Sequence, residues 1–256
     1  MSNWKWLQVV AVVPVSIVGT KVLLPMFGAG GYHHYQLVET PPPMLTTADV
    51  DAEIRKRGLN IFQAIEEEFP DDYDVMLRKM TAATHSGSTA DVRKVSSQAV
   101  ADLRHRYAAL LRSTPDSEAS QALSAQLDML NQVMARETPA SCNNFLRNGP
   151  DAISAPGHDF SADLDKVGAT LIRAFGAAER SGLPAAMPVD QDWSMVADAF
   201  AKIGGTPAEL DAISNARHDF PGLCPAMAKL YEAALLLHGE AGWHIKTALL
   251  YELARN

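Results

Sequence analysis

The chain has 256 residues, of which 47% are hydrophobic and 20% charged, and its formal net charge is −8. The first 38 residues contain no acidic residue and carry two positive charges, Lys5 and Lys21, so the remainder carries −10. A surface of that sign repels phosphate backbones and anionic lipid headgroups, which argues against nucleic-acid binding and against charge-driven docking on a membrane surface.

An apolar run from Trp6 to Phe27 predicts a membrane-spanning helix at the N-terminus. Its 22 residues would extend about 33 Å as a helix, which matches the hydrocarbon core of a bilayer. Pro14 and Pro25 each remove a helix donor, so we expect a kink, and Lys21 can extend its ammonium to the outer interface. The side chains expected at the two membrane interfaces are Trp4, Trp6, Lys21, Phe27, Tyr32 and Tyr35.

Two other interpretations of this N-terminal segment stay open. It could be a secretory signal that is cleaved near the glycines following Phe27, or a buried N-terminal helix. We favour a retained signal-anchor over residues 1–27 because the apolar residues continue past Lys21. Lys5 precedes the span and acidic residues follow it, so the rest of the chain should lie outside the cytoplasm.

Residues 28–45 are rich in glycine and proline and predict a linker. Pro41, Pro42 and Pro43 cannot lie inside a helix and should form extended polyproline, which is a semi-rigid spacer. Residues 46–256 then form the exported domain. A plan with one span, a spacer and a helical exported domain is common among bacterial envelope proteins. We therefore expect a bacterial-type inner membrane protein whose domain lies in the periplasm or the extracellular space.

Apolar residues recur with helical spacing through the first half of the domain. The first predicted helix begins after Thr46 and ends at Pro70, and Asp71 and Asp72 suit the positive N-terminus of the second. A third helix follows the turn at 86–89, and a fourth runs from Thr114 to Pro139. The apolar positions of the third and fourth helices are Val92, Val95, Ala99, Leu103, Tyr107, Leu110 and Leu111, and then Ala119, Leu123, Leu127, Leu130 and Met134.

The second half of the domain continues the helical pattern after an irregular centre. We predict a short helix over 142–146, then a loop rich in glycine and proline, with a possible subdomain break near 148–160. The apolar positions of the later helices include Leu164, Val167, Leu171, Ile172 and Phe175; Trp193, Val196, Phe200 and Ile203; Leu223, Met227, Leu230 and Tyr231; and Trp243, Ile245, Leu249 and Leu253. Because no βαβ alternation appears, the sequence predicts an all-α bundle of about eight helices.

Four histidines are weak candidates for a metal site. His33 and His34 are adjacent outside the predicted span, and His158 and His218 each begin a His-Asp-Phe tripeptide. A metal site needs several converging ligands. Adjacent histidines usually point in different directions, and an aspartate near a helix start usually caps it. We therefore interpret the first pair as part of an interfacial collar and the second as helix-start signals, and we predict no metal or other cofactor.

The two cysteines, Cys142 and Cys224, are 82 positions apart. An oxidising compartment would allow them to form a disulfide between the irregular centre and a late helix. Two buried free thiols are the alternative. A catalytic thiol is disfavoured because no spacing identifies a partner histidine.

The sequence contains no recognised catalytic motif, so catalytic residues stay unknown and we lean against an enzyme. We predict a membrane-anchored helical envelope protein that acts as a protein-binding or scaffolding module in a membrane complex, with a protein partner and no nucleic acid. Two alternatives stay open. One is an enzyme whose site is assembled from dispersed residues, namely acidic side chains with histidines such as His85, His105, His158 and His218. The other is a receptor for a small apolar ligand.

Overall fold

The computed structural model describes residues 45–85, 89–153, 158–215, 217 and 219–255. These residues form eleven α-helices and two 3-10 helices, with no strand among them. The α-helices are α1 (Thr47–Arg57), α2 (Asn60–Glu68), α3 (Pro70–Thr84), α4 (Thr89–Tyr107), α5 (Asp116–Arg136), α6 (Pro139–Asn148), α7 (His158–Ser181), α8 (Asp190–Lys202), α9 (Pro207–Ser214), α10 (Leu223–Leu236) and α11 (Gly239–Arg255). The 3-10 helices span Ala108–Ser113 and Gly149–Ala152.

The all-α class predicted from the sequence is confirmed for the described residues, whereas the expected number of about eight helices was too low. The predicted first helix is in fact two helices, because Gly58 adopts the left-handed conformation with φ +63° and donates its N–H to Arg55 O. Glycine pays no steric penalty in that conformation, so it ends α1. Pro139, which we expected only to close α5, also occupies the first turn of α6, where its missing N–H costs nothing.

The second helix receives its N-terminal cap from a distant part of the chain. The side chain of Asp165, on α7, accepts hydrogen bonds from Asn60 N at 2.9 Å, from Asn60 Nδ2 at 2.7 Å and from Ile61 N at 2.9 Å. Asp165 is only 5% exposed. Its carboxylate satisfies N–H groups that the helix itself leaves without partners, and it fixes α2 against α7.

Two long helices, α5 and α7, form the centre of the bundle. They pack against each other, α2 packs on α7, and α10 and α11 pack on α5. The apolar side chains on these faces belong to one continuous core that includes residues on both sides of 148–160. Phe62, Phe175 and Phe200 are among its largest fully buried side chains, and burying each contributes about 1.5–3 kcal/mol.

A disulfide joins α6 to α10. Cys142 and Cys224 are bonded, their α-carbons are 6.1 Å apart, and both are 1% exposed. The predicted bridge is therefore confirmed, and both cysteines of the chain are accounted for.

None of the helices in the described part of the chain is both long enough and apolar enough to cross a bilayer. The predicted span at 6–27 and the linker up to residue 44 lie outside the described residues. The anchor and the side chains expected at its two membrane interfaces therefore stay predictions from the sequence. The subdomain break near 148–160 also stays a prediction.

Candidate functional site

The connection between α7 and α8 is a segment of eight residues without helix or strand, Gly182 to Val189, which we call the strap. Its sequence, GLPAAMPV, contains no charged residue and two prolines. The strap begins where it does because Gly182 adopts a left-handed conformation with φ +62° and Pro184 follows, which is a common way to end a helix.

Three backbone N–H groups, at every third residue, fix the strap to the domain. Leu183 N donates to Ser181 Oγ at 3.1 Å, Ala186 N donates to Arg112 O at 2.7 Å, and Val189 N donates to Asp192 Oδ2 at 2.9 Å. The Ala186 side chain points into the domain and is 2% exposed. The strap is therefore a fixed surface feature.

The strap exposes large apolar side chains. Leu183 is 41% exposed, and Met187 and Val189 are each 57% exposed. Together with Met195 in α8, they supply four of the seven exposed large hydrophobic residues in the described part of the chain, all within 13 positions. Single exposed hydrophobic residues are ordinary, but such a concentration makes the strap a candidate interaction surface.

Arg112 supports the middle of the strap from the 3-10 helix. Its carbonyl accepts the Ala186 N–H, and its Nη1 lies 3.1 Å from Met187 Sδ. The guanidinium also stacks on the ring of Tyr251 at 3.9 Å, which holds the arginine in place through a cation–π contact.

A buried aspartate–histidine pair fixes the end of the strap. Asp192 Oδ2, which accepts the Val189 N–H, also lies 2.9 Å from His244 Nδ1. The side chains of Asp192 and His244 are 9% and 15% exposed. The pair therefore links the strap and the start of α8 to α11. Trp243 packs beside His244, with ring centroids 5.3 Å apart, and donates from Nε1 to Thr114 O at 2.7 Å.

The same pair has the geometry of an oriented base. A carboxylate at Nδ1 orients the imidazole ring and leaves Nε2 for a further partner. Among the described residues, however, Nε2 is close to Glu240 Oε1 at 3.7 Å and to no hydroxyl or thiol that could act as a nucleophile. The structure therefore supports a positioning role for Asp192 and His244.

A second surface feature is a cleft of about 250 Å³ between α1, α2 and α3, lined by Ile54, Arg55, Gly58, Leu59, Gln63, Glu66 and Tyr73. Its charged groups are already paired with one another. Arg55 binds both Asp51 and Glu66, and Tyr73 donates its hydroxyl to Asp51 at 2.6 Å. Burial opposes ionisation of Asp51, but the hydrogen bonds from Tyr73 and Arg55 outweigh it and lower the pKa of Asp51. Burial and the Asp51 contact raise the pKa of Tyr73.

The described residues contain no group of three or more His, Cys, Asp or Glu side chains that could hold a metal ion. Of the weak metal candidates, His33, His34 and His218 lie outside the described residues, and His158 begins α7 but its side chain is not among those described.

The two further histidines weighed for an enzyme do not meet. His85 is exposed where α3 ends, with Nε2 3.3 Å from Leu45 O. His105 is exposed near the C-terminal end of α4 and contacts Arg104. Since α3 and α4 are consecutive packed helices, these two side chains lie towards opposite ends of the pair.

The residues predicted at the membrane interfaces also lie outside the described part of the chain; they are Trp4, Trp6, Lys21, Phe27, Tyr32 and Tyr35.

Neither the strap nor the Asp192–His244 pair was predicted from the sequence. The strap has a readable signal, since eight uncharged residues with two prolines separate two helices. The pair has none, because its members are 52 positions apart on different helices.

No protein family model matches the chain, and the comparisons with curated proteins and with solved structures give no match either.

Proposed function

We propose that this chain is a membrane-anchored envelope protein whose exported helical domain binds a protein partner through the strap. The observation that carries the proposal is the concentration of exposed apolar side chains on a fixed, uncharged segment. A module built for binding needs such a surface and needs no catalytic group.

The disulfide and the apolar N-terminal segment support the compartment. A buried disulfide is typical of proteins that fold in an oxidising compartment such as the periplasm or the cell exterior. The run from Trp6 to Phe27 supplies the expected tether. Both features support a domain that lies on the non-cytoplasmic side of a membrane.

The strap lies far from the place where the tether joins the domain. The described chain begins at Leu45, beside His85 at the C-terminal end of α3. The strap follows α7, whose Arg180 is paired with Glu68 beside the N-terminal end of α3. The 15 residues of α3 place its two ends about 22 Å apart. This arrangement supports a strap that faces away from the proposed tether, towards partners within the compartment.

The size of the apolar surface predicts a modest affinity. Fully burying Leu183, Met187 or Val189 contributes about 1.5–3 kcal/mol each. Since each is already about half covered, a partner gains on the order of 3 kcal/mol from the three together. Association costs at least about 4 kcal/mol, so further contacts are required. A weak complex that depends on membrane tethering fits this balance.

Site-specific photo-crosslinking in intact cells tests the proposal. A photoreactive amino acid replaces Met187 in the full chain, and the matched control places it at Leu236, which is 54% exposed at the end of α10. We expect a discrete protein adduct from position 187 that is absent from position 236. This adduct should fall several-fold when Leu183→Ser and Val189→Thr are combined with the probe. The same adducts from both positions, or none from position 187, would refute the proposal.

A further inference from the structure

We propose that the partner binds the strap as an extended, proline-containing ligand in a groove lined by aromatic and other apolar side chains. This inference rests on the proposed function and specifies the chemistry of the partner.

The sequence and the hydrogen bonds of the strap favour the backbone form of such a ligand. Its inward hydrogen bonds come from residues 183, 186 and 189, and a period of three residues is that of the polyproline II helix. Pro184 and Pro188 restrict their own φ and favour this extended conformation. Val189 ends the strap with φ −101° and ψ 168°, which is also extended. The two prolines, the hydrogen-bond spacing and the extended Val189 thus favour a polyproline-like form for residues 183–189, while both ends of this stretch are fixed.

The outward side of the strap offers backbone groups for recognition. Within the described part of the chain, the N–H groups of Ala185 and Met187 make no hydrogen bond, and neither do the carbonyl groups from Leu183 to Pro188. Partners that bind extended segments gain affinity from such groups and specificity from pockets for the side chains. These groups supply the additional contacts that the three apolar side chains require.

The fixed conformation lowers the cost of binding. A free peptide must be ordered when it binds, which removes part of the gain. Here Ser181, Arg112 and Asp192 order the strap beforehand. Asp192 and His244 therefore act as positioning residues for the strap.

The surroundings favour a protein groove over the other possible occupants. The strap has no charged residue for eight positions, so a complementary surface is apolar and carries few charges. Its distance from Leu45 and the charge of −10 on the chain after residue 38 disfavour the anionic surface of the tethering membrane. A second copy would present the same strap, and its cleft between α1, α2 and α3 contains the ion pair of Arg55 and Glu66, which suits an uncharged segment poorly.

The test compares proline substitutions in the full chain with the photoreactive group at position 187. We expect Pro184→Ala combined with Pro188→Ala to reduce the protein adduct at least fivefold, because the groove loses its contacts with both proline rings while the hydrogen bonds of residues 183, 186 and 189 stay in place. Pro207→Ala, at the first turn of α9, is the matched control and should leave the adduct unchanged. Circular dichroism of each variant checks that the helices are retained.

A synthetic peptide with the sequence of residues 181–190 provides an independent measurement. Added to membranes that contain the full chain, it should suppress the adduct at position 187. The same peptide with both prolines replaced by alanine should need about tenfold more for equal suppression.

The possible outcomes separate this inference from the proposed function. A protein adduct that is insensitive to the proline substitutions and to the peptide overturns recognition of an extended strap but leaves protein binding intact. An adduct with the mass of two copies of this chain, or with lipid alone, overturns the groove partner. No adduct specific to position 187 overturns both.

Discussion

Removal of the disulfide should destabilise the domain by an amount that its loop length determines. The bridge closes a separation of 82 residues, and the chain-entropy relation gives a loss of about 15 cal/mol/K for the unfolded chain, or about 4.5 kcal/mol at 25 °C. For a domain of this size each kcal/mol changes Tm by about 2–4 °C. We therefore expect a decrease in Tm of about 9–18 °C when the bridge is absent.

The test uses the double variant Cys142→Ala, Cys224→Ala. Alanine is preferable to serine because both sites are 1% exposed, and a serine hydroxyl buried there without a partner would add its own cost of about 1–3 kcal/mol. Differential scanning calorimetry measures Tm for the wild type and the variant, each with and without a reductant. Reductant should bring the wild type close to the variant and leave the variant unchanged.

The location of the loss can also be predicted. Helix α6 has ten residues and packs mainly against α10 and the following 3-10 helix, so the bridge supplies much of its attachment. Amide hydrogen exchange in α6 should increase more than in α5 or α7. A variant whose Tm lies within about 3 °C of the wild type, with α6 still protected, would show that the loop-entropy argument does not describe this bridge.

Three other substitutions test separate parts of the structure. Asp165→Ala should destabilise the domain by about 2 kcal/mol, because the N-terminus of α2 loses its cap; urea denaturation measures this, and an unchanged midpoint would refute the capping role. Trp243→Phe should cost about 1 kcal/mol by leaving Thr114 O without its donor, and the same measurement checks it. Burial raises the pKa of Asp163, so this carboxyl binds its proton more tightly in the folded state than in the unfolded state. At pH values above its pKa in the unfolded state, the carboxyl therefore destabilises the domain. Asp163→Asn should therefore raise Tm at pH 7 but not at a pH below the unfolded pKa, and an equal change at both pH values would contradict the assignment to ionisation.

Local sequence signals predicted the positions of most helices. Thr46, for example, forms a capping box with Asp49 at the start of α1, where a helix was predicted to begin. These signals succeed because capping depends on residues within one turn of each other. The apolar pattern predicted one helix in place of α1 and α2, because it continues on both sides of Gly58. Glycine ends a helix only where the tertiary packing selects its left-handed conformation.

The contacts that build the candidate site depend on long-range packing. Asp192 and His244 approach only because α8 and α11 pack together, and neither helix carries a local signal that specifies this. The pairing of the two cysteines was predictable because the chain has only two of them, so that an oxidising compartment leaves one possible intramolecular bridge. The chain has eight histidines, and no local pattern distinguishes His244 from the other seven.

The function of the strap should therefore depend on residues far from it in sequence. Arg112 lies 74 positions before Ala186, whose N–H its carbonyl accepts, and His244 lies 52 positions after Asp192. A substitution at His244 leaves every exposed side chain of the strap in place and removes only the contact that orients Asp192. His244→Leu should consequently weaken the adduct from position 187 without altering the apolar surface itself. His244→Gln, which can still donate to Asp192, should preserve more of that adduct. A weaker adduct in His244→Leu than in His244→Gln would show that binding depends on the fixed conformation of the strap. Equal adducts in the two variants would show that its apolar side chains alone are sufficient.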